Sequence, residues 1–296
     1  VYGRDINQRL TLGDDKSRPY SNLLYTVAIE YMANGGNQIY HGLQIESVHR
    51  FSKGFAWQLG YVWSNNISDV LDQDDNDAKG LATDANNRSL DRGRVGYNRK
   101  HNFTGYAIWE LPFGRDRRLL SGLPAWANQI VSGWELQPEL FAGSGQWFTP
   151  CRVANNPLTN ADCASQTARP DRVGDGNDGP RLTGSAGAKW INTAAFVDPA
   201  STALGNAGRT ILEGPGFWHA SVSLTKKCRF SESKQLWLTV AAMNVFNHPN
   251  FRSPTSSGEL TVNQSAFGST STLLSTDRAA DRSKSRAIWL RARILF

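Results

Sequence analysis

The chain has 296 residues, with 32 Lys and Arg against 26 Asp and Glu, which gives a formal net charge of +6. Its mean hydropathy is negative, and it contains no apolar run near the roughly 18 residues that a membrane-spanning helix needs. Helical spanning is therefore excluded, whereas a membrane β-barrel is allowed, since its interior residues dilute the apolar ones. The basic residues form no concentrated cluster, so we expect no nucleic-acid binding.

Eight segments alternate apolar and polar residues with the period of two that is typical of β-strands. In chain order, the predicted strands are 24–31, 41–51, 55–64, 102–111, 134–142, 217–226, 236–246 and 287–296. Pro138 lies inside the fifth strand and cannot donate a ladder hydrogen bond, so we expect a bulge or an interruption there.

The last ten residues show the most regular alternation in the chain, with Arg291 and Arg293 on one face and apolar residues on the other. About ten residues allow a tilted strand to cross a bilayer, provided that its backbone is paired within a closed barrel. We therefore predict a transmembrane strand that ends the chain on an aromatic residue. The residues interpreted as its membrane-insertion signal are Ile288, Leu290, Ile294 and Phe296.

The connections between the predicted strands alternate between short and long. The short links are 52–54 and 229–235, the long ones are 65–99, 143–216 and 247–285, and the link 112–133 is longer than expected on the short side. Long loops outside the cell and short turns in the periplasm are typical of outer-membrane barrels. The fold class predicted is thus all-β, an antiparallel transmembrane β-barrel.

Alternation alone assigns a set of polar residues to a hydrated interior. The candidate lumen-facing residues are Gln44, Glu46, Gln58, Thr104, Glu110, Glu135, Gln137, Glu139, Ser221, Ser223, Thr239, Arg291 and Arg293. Aromatic residues at or near strand ends would form the girdles of a barrel. They are Trp57, Tyr61, Trp63, Trp109, Trp134, Trp218 and Trp289. A soluble β-sandwich with an aromatic core shows the same alternation and remains an alternative.

Three cysteines occur, and two of them, Cys151 and Cys163, lie in one polar loop. Their spacing suits a local disulfide, which implies an oxidising compartment; two unpaired loop thiols are the alternative. Cys228 is left over. No histidine or second cysteine pair flanks the loop pair at zinc-ligand spacing, so we expect no metal site there.

The sequence shows no catalytic motif, and its five histidines are scattered over separate segments. We expect neither an enzyme nor a cofactor. The acidic stretch from Asp69 to Asp77 lacks the Gly and Glu positions of an EF-hand. Asp175, Asn177 and Asp178 form a second, equally weak signal. We interpret both stretches as solvated loops; a cation bridging lipopolysaccharide phosphates is the alternative.

Several stretches of the chain, taken in order, resemble one family. They are YHGLQIESVHRFSKGFAWQLGYVWSNNISD, RKHNFTGYAIWELPFGRDRRLL, SGWELQPELFAGSGQWFTP, WINTAAF, LGNAGRTILEGPGFWHASVSLTKKCRFSE, AAMNVFNHPNF and IWLRARILF. Over nearly its full length the chain resembles the C-terminal part of the Oar-like branch of TonB-dependent outer-membrane receptors. The resemblance implies a 22-stranded barrel with an N-terminal plug and an energy-coupling box. Pro138 and Cys228 depart from the expected strand chemistry.

We accordingly expect residues 1–296 to be a C-terminal fragment with about eight of the 22 strands, without plug, coupling box or signal peptide. The implied function is active transport of a scarce external ligand across the bacterial outer membrane. The implied partners are outer-membrane lipid and lipopolysaccharide, the barrel-assembly machinery acting on the last strand, and the TonB complex acting through the N-terminal part. A small structural or adhesive barrel and a soluble carbohydrate-binding sandwich are the alternatives. The ligand stays open among iron chelates, vitamin B12-like cofactors, glycans and peptides.

Overall fold

The computed structural model describes residues 2–23, 27–70, 82–115, 117–184, 188–231, 234–273 and 285–296. These ranges contain 14 strands and two short α-helices, α1 (Ala125–Val131) and α2 (Ser257–Leu260). The strands are β1 (Tyr2–Asp5), β2 (Glu30–Ala33), β3 (Gln38–Ser52), β4 (Phe55–Ser68), β5 (Gly93–Arg94), β6 (His101–Glu110), β7 (Trp134–Gly143), β8 (Trp147–Phe148), β9 (Asp171–Arg172), β10 (Phe196–Val197), β11 (Leu212–Glu213), β12 (Phe217–Arg229), β13 (Gln235–Met243) and β14 (Ala287–Leu295). Neither helix has the length and apolar character needed to span a membrane.

Seven long strands form one antiparallel sheet in the order β14-β13-β12-β7-β6-β4-β3, and the two-residue β5 adds to β4. The long strands have 9 to 15 residues, which is enough to cross a bilayer when tilted. Within the described ranges β3 and β14 each pair with a single strand, so the sheet is open. The seven long strands are neighbours in the sheet in the same order as they occur in the chain, as expected of an up-and-down arrangement.

The seven predicted strands from residue 41 onward are confirmed, with ends that shift by a few residues. The first prediction, a long strand over 24–31, is wrong for residues 27–29; residues 24–26 lie outside the described ranges. Only Glu30–Ala33 is a strand there, and it pairs with β1 outside the main sheet. The physical reason is the hydrogen bonding: Asp5 Oδ1 accepts from the backbone N–H of Ile29 at 2.9 Å, and Asn7 Nδ2 donates to the carbonyl of Val27 at 2.8 Å. Buried side chains therefore satisfy backbone groups that a long strand would have paired.

Pro138 interrupts the ladder on one side of β7, as predicted. The pairing with β12 runs through Pro138 and Val222 without a break. The pairing with β6 skips from Tyr106 opposite Glu139 to Trp109 opposite Leu136, with no change of register. The gap lies on the β6 side because proline has no N–H to donate to that strand.

The alternation of short and long connections is confirmed. A two-residue turn joins β3 to β4, and Lys53 and Gly54 both have positive φ (52° and 81°), which is typical of the tight hairpin turns that match strand twist. The link from β6 to β7 (111–133) is longer and contains α1. The links 69–100, 144–216 and 244–286 all leave the sheet at the opposite end. We call the two ends the short-link end and the long-link end.

The main buried core lies in the long links rather than on the sheet. It is a cluster of apolar side chains from two of the links: Phe148, Ile191, Ala195, Phe196, Ala207, Leu212, Val262 and Phe267. The two links also exchange backbone hydrogen bonds, since the N–H of Cys151 donates to Leu260 at 2.8 Å and the N–H of Val262 donates back to Cys151 at 2.9 Å. The described residues of 2–37, 69–100, 144–216 and 244–273 pack into one unit, which we call the loop lobe.

Candidate functional site

The strand register places all thirteen of the polar candidate residues on one face of the sheet, which we call the polar face. Residues directly opposite on neighbouring antiparallel strands share a face. Glu46 lies opposite Gly60 and Thr104 follows on the next strand, while Ser223 lies opposite Gln137. The remaining links are Glu110 to Glu135, Thr225 to Thr239, and Thr239 to Arg291. The sheet thus brings together residues that are up to 249 positions apart in sequence, from Gln44 to Arg293.

Hydrogen bonds join the polar face across β3, β4 and β6. Gln58 Nε2 donates to Glu46 Oε1 at 2.6 Å, and the hydroxyl of Tyr106 donates to Gln58 Oε1. All three side chains are solvent-accessible, so they remain open to water or to a polar partner. Tyr106 was not predicted to face the lumen, because its side chain is aromatic. Alternation nevertheless places it on the same face as Thr104.

A second network lies at the short-link end of β7 and β12. Glu135 accepts from Gln137 Nε2 at 2.6 Å and from Lys227 Nζ at 2.5 Å. Lys227 also lies over the ring of Trp237, with Nζ 4.9 Å from the ring centre. Sequence reasoning missed Lys227, because the strand was expected to end at Lys226, whereas β12 continues to Arg229.

Charge is distributed unevenly over the polar face. Its acidic candidates, Glu46, Glu110, Glu135 and Glu139, all lie on β3 to β7, and its exposed basic pair, Arg291 and Arg293, lies on β14. Between them, β12 and β13 contribute small hydroxyl residues, such as Thr225 and Thr239, whose Oγ1 atoms are 2.9 Å apart. The acidic candidates and the basic pair of β14 therefore lie on separate strands of the face, and Lys227 of β12 pairs with Glu135 between them.

The opposite face, which we call the apolar face, carries the insertion-signal residues of β14. Ile288, Leu290 and Ile294 are exposed and lie opposite Ala242, Val240 and Leu236. Phe296 follows the strand and is 97% exposed. A row of large exposed apolar side chains over neighbouring strands indicates a surface that contacts a non-aqueous environment.

Six of the seven predicted girdle residues lie on the apolar face, toward one end of the sheet or the other, with Tyr61 two positions before Trp63 on β4. Trp57, Trp109 and Trp134 lie toward the short-link end, and Trp63 and Trp218 lie toward the long-link end. Trp57 and Trp63 are six positions apart, which corresponds to roughly 20 Å along a strand. This spacing is close to the ~25 Å apolar band that aromatic girdles flank in membrane barrels. One girdle assignment is wrong: Trp289 pairs with Ala241 and lies on the polar face, beside Arg291.

The comparison with protein families agrees with this geometry. A model described as an outer membrane beta barrel domain matches residues 1–288. The chain belongs to the outer membrane β-barrel domain family. No curated protein and no solved structure matches the chain.

Membership of this family places the barrel in the bacterial outer membrane. The soluble carbohydrate-binding sandwich is therefore discarded as an account of the chain.

Cys151 and Cys163 are joined by a disulfide in the loop lobe of the barrel, with their Cα atoms 5.4 Å apart. Both residues are buried, and Cys151 is fully so. The bond closes a loop of about a dozen residues directly before the segment that carries the buried Arg169. Cys228 is a free thiol on β12 and is half-buried.

Buried ion pairs hold the lobe together across separate links. Arg169 Nη2 lies 3.2 Å from Asp91 Oδ1 and also donates to Thr83 Oγ1 at 2.7 Å. Burial lowers the pKa of Arg169, while the Asp91 carboxylate acts in the opposite direction. Arg209 donates to the carbonyls of Ser68 and Val70, which ties the 144–216 link to the end of β4.

Two carboxylates of the lobe have lowered pKa values. Hydrogen bonds from Arg9 and Arg18 lower the pKa of Asp15 from 3.8 to about 2. Glu259 is partly buried, which opposes its ionisation, but hydrogen bonds from the backbone N–H groups of Thr255 and Ser256 lower its pKa overall. Glu259 and Ser256 form the capping box of α2. Both carboxylates therefore stabilise the folded lobe through the hydrogen bonds that they accept.

The acidic loop stretches engage protein partners where the structure describes them. Asp69 binds Arg88 and the backbone N–H of Asn37, and Asp72 to Asp77 lie outside the described ranges. Asp175 accepts from the N–H of Asn177 at 3.0 Å and lies 3.6 Å from Arg172 Nη2. Within the described ranges, no three His, Cys, Asp or Glu residues are grouped as metal ligands would be.

Proposed function

We propose that the chain forms part of an import barrel of the Oar-like TonB-dependent type, which takes up a scarce external ligand with energy from the inner membrane. The observation that carries the proposal is the open sheet of membrane-crossing length, with one polar, charged face and one apolar face. In this proposal the polar face lines the lumen, the apolar face contacts lipid, and the loop lobe lies outside the cell and contacts the ligand.

The open sheet and its charged face favour a wide barrel over a small one. An eight-stranded barrel would pair its first and last strands and fill its interior with packed side chains. Here β3 and β14 are not paired with each other in the described ranges, and the polar face presents exposed side chains such as Glu46 and Arg293. A wide lumen that holds a plug would give these charges hydrated or ionic partners.

The loop lobe supports a binding role because its shape is fixed by its own interior. Its core and its buried ion pairs join separate links, and its disulfide closes a loop within the 144–216 link. A surface that is already ordered loses little conformational entropy when a ligand binds. We propose lipopolysaccharide and outer-membrane lipid as neighbours of the barrel, the barrel-assembly machinery as the partner of β14, and the TonB complex as the energy-coupling partner.

The proposal is tested by uptake in the source bacterium. Labelled iron chelates, cobalamin, oligosaccharides and peptides are offered to cells that carry or lack the gene, with and without a protonophore or a deletion of tonB. Support is the uptake of one class that disappears on loss of the gene, on deletion of tonB and on treatment with the protonophore. Uptake that needs the gene but survives the protonophore contradicts energy coupling. Unchanged uptake of every class, together with loss of adhesion or of membrane integrity, favours the structural barrel instead.

A further inference from the structure

The link between β6 and β7 is unusual for the short-link end, because it is long and carries exposed apolar and basic side chains. We call residues 112–133 the rim segment. Its exposed apolar residues are Leu119, Leu120, Trp126 and Ile130, and Trp126 and Ile130 are 71% and 63% exposed. They are four residues apart on α1 and therefore lie on one side of the helix. Contiguous exposed patches of apolar side chains mark surfaces that contact a partner or a membrane.

The rim segment is held against the apolar face of the sheet. Trp134, on the apolar face at the start of β7, donates from Nε1 to the carbonyl of Ile130 at 2.9 Å. Lys226, directly opposite Trp134 on β12, donates from Nζ to the carbonyl of Ser132. Both contacts are made by residues on the side that faces lipid in a membrane barrel. Arg117 of the same segment pairs with Glu110 on the polar face at 2.8 Å. The segment therefore spans the edge of the sheet, with Trp134 and Lys226 on its lipid side.

A cavity of about 850 Å³ separates the rim segment from the ends of β6, β7 and β12. Five cationic residues line it: Arg115, Arg117, Lys226, Lys227 and Arg229. Two carboxylates also line it, and both are already neutralised, Glu110 by Arg117 at 2.8 Å and Glu135 by Lys227 at 2.5 Å. The cavity therefore has an excess of positive charge.

Aromatic and aliphatic groups line the remainder of the cavity. They are Leu111, Trp126, Ile130, Trp134 and Phe230. A ligand that matches both parts must carry a negative head and an apolar tail. Arginine suits the phosphate part in particular, since its guanidinium group donates two parallel hydrogen bonds.

We propose that this cavity binds an anionic phospholipid, with the phosphate at Arg115 and Arg229 and the acyl chains along Trp126, Ile130 and Trp134. The position at the rim, at the level where Trp109 and Trp134 form a girdle, is where a lipid headgroup lies. The proposal is independent of which ligand the barrel imports, and of whether import needs energy.

Cys228 provides a native reporter, because this free thiol lines the same cavity. The protein as expressed is placed in nanodiscs of phosphatidylcholine with increasing fractions of phosphatidylglycerol. The rate of Cys228 labelling by a water-soluble maleimide is then measured, together with the lipid retained in native mass spectrometry. We expect labelling to slow several-fold as phosphatidylglycerol is added, with about one anionic lipid retained per protein.

The matched variants separate this site from general attraction to a charged surface. Arg115→Gln with Arg229→Gln should raise the phosphatidylglycerol fraction for half-protection roughly tenfold, with unchanged labelling in pure phosphatidylcholine as the check on folding. Lys16→Gln with Arg92→Gln removes two exposed charges from the loop lobe and should have no effect. The proposal is overturned if phosphatidylglycerol does not slow labelling, if both double variants behave alike, or if only lipopolysaccharide protects Cys228.

Discussion

Arg169 and Arg172 are three residues apart, yet their surroundings differ sharply. Arg169 is 4% exposed and paired with Asp91, which is 1% exposed. Arg172 is exposed, and its partner Asp175 lies 3.6 Å away at the surface. A buried charge that loses its partner pays the full cost of desolvation, whereas an exposed charge is rehydrated by water. The pair thus offers an internal comparison within one loop.

Arg169→Ala is expected to destabilise the loop lobe by about 3 to 5 kcal/mol, because it leaves the Asp91 carboxylate buried without its cation. Arg172→Ala is expected to cost about 0 to 1 kcal/mol. Native-state hydrogen exchange of lobe amides, including the Thr83 N–H that donates to Asp91, measures both. Equal effects of the two substitutions would show that burial does not control the strength of the Arg169 pair.

Asp15 gives a pH-dependent contribution with a defined sign. Its pKa is lowered from 3.8 to about 2 by hydrogen bonds from Arg9 and Arg18. Because the folded state has the lower pKa, the contribution is complete above about pH 4 and is lost as the pH falls toward 2. We expect amides of residues 7–18 to lose exchange protection over that interval, after correction for intrinsic rates.

Asp15→Asn should remove this pH dependence and lower the protection at pH 5. Asp14→Asn is the matched control, since Asp14 accepts from the backbone N–H of Lys16 without a bond to either arginine. If Asp15→Asn and the unmodified chain have the same pH profile, Asp15 is not the titrating group.

The long strands could be predicted from the sequence because apolar and polar residues alternate with a period of two in each of them. The same alternation predicts which residues share a face of the sheet. All thirteen polar candidates lie together for this reason. Which residues meet across strands could not be predicted, since the register depends on distant partners: Lys227 opposite Trp237 is an example. The strand predicted at 24–31 is wrong at residues 27–29, because alternation does not reveal that the side chains of Asp5 and Asn7 bond to the backbone there.

The core of the loop lobe could not be predicted from sequence patterns either. Phe148, Ile191, Leu212 and Phe267 form one core, yet they lie in segments without periodicity. The disulfide was accessible, because the two cysteines are close in sequence and occupy one polar loop. Long irregular links can therefore contain a core that no local sequence pattern predicts.

Pro138→Val is expected to close the gap in the ladder between β6 and β7. The new N–H can donate toward β6, and a hydrogen bond of about 1 kcal/mol corresponds to roughly fivefold slower exchange of the Ala107 and Ile108 amides. Leu140→Val is the control, since Leu140 lies on the same face and its pairing with Gly105 is intact. Unchanged exchange in Pro138→Val would mean that the gap does not arise from the missing N–H.

The assignment of lumen and lipid faces, on which the proposed transport depends, can be tested on the last strand. Single cysteines replace Leu290, Arg291, Arg293 and Ile294 in a Cys228→Ser background. A membrane-impermeant maleimide should label positions 291 and 293 several-fold faster than 290 and 294 in lipid, because only the former face water. Equal rates are expected in urea-unfolded protein. Faster labelling at 290 and 294 in lipid would reverse the two faces and remove the basis of the transport proposal.

The shared core of the long links constrains how this protein can vary. With the lobe outside the cell, as proposed, bacteriophages and antibodies would select for changes in these segments. Side chains at exposed tips, such as Val153, Val173 and Leu182, can be exchanged freely. Replacement of Ile191 or Leu212 would disturb two links at once. Escape from recognition should therefore accumulate at the tips, while the interior of the lobe stays the same from strain to strain.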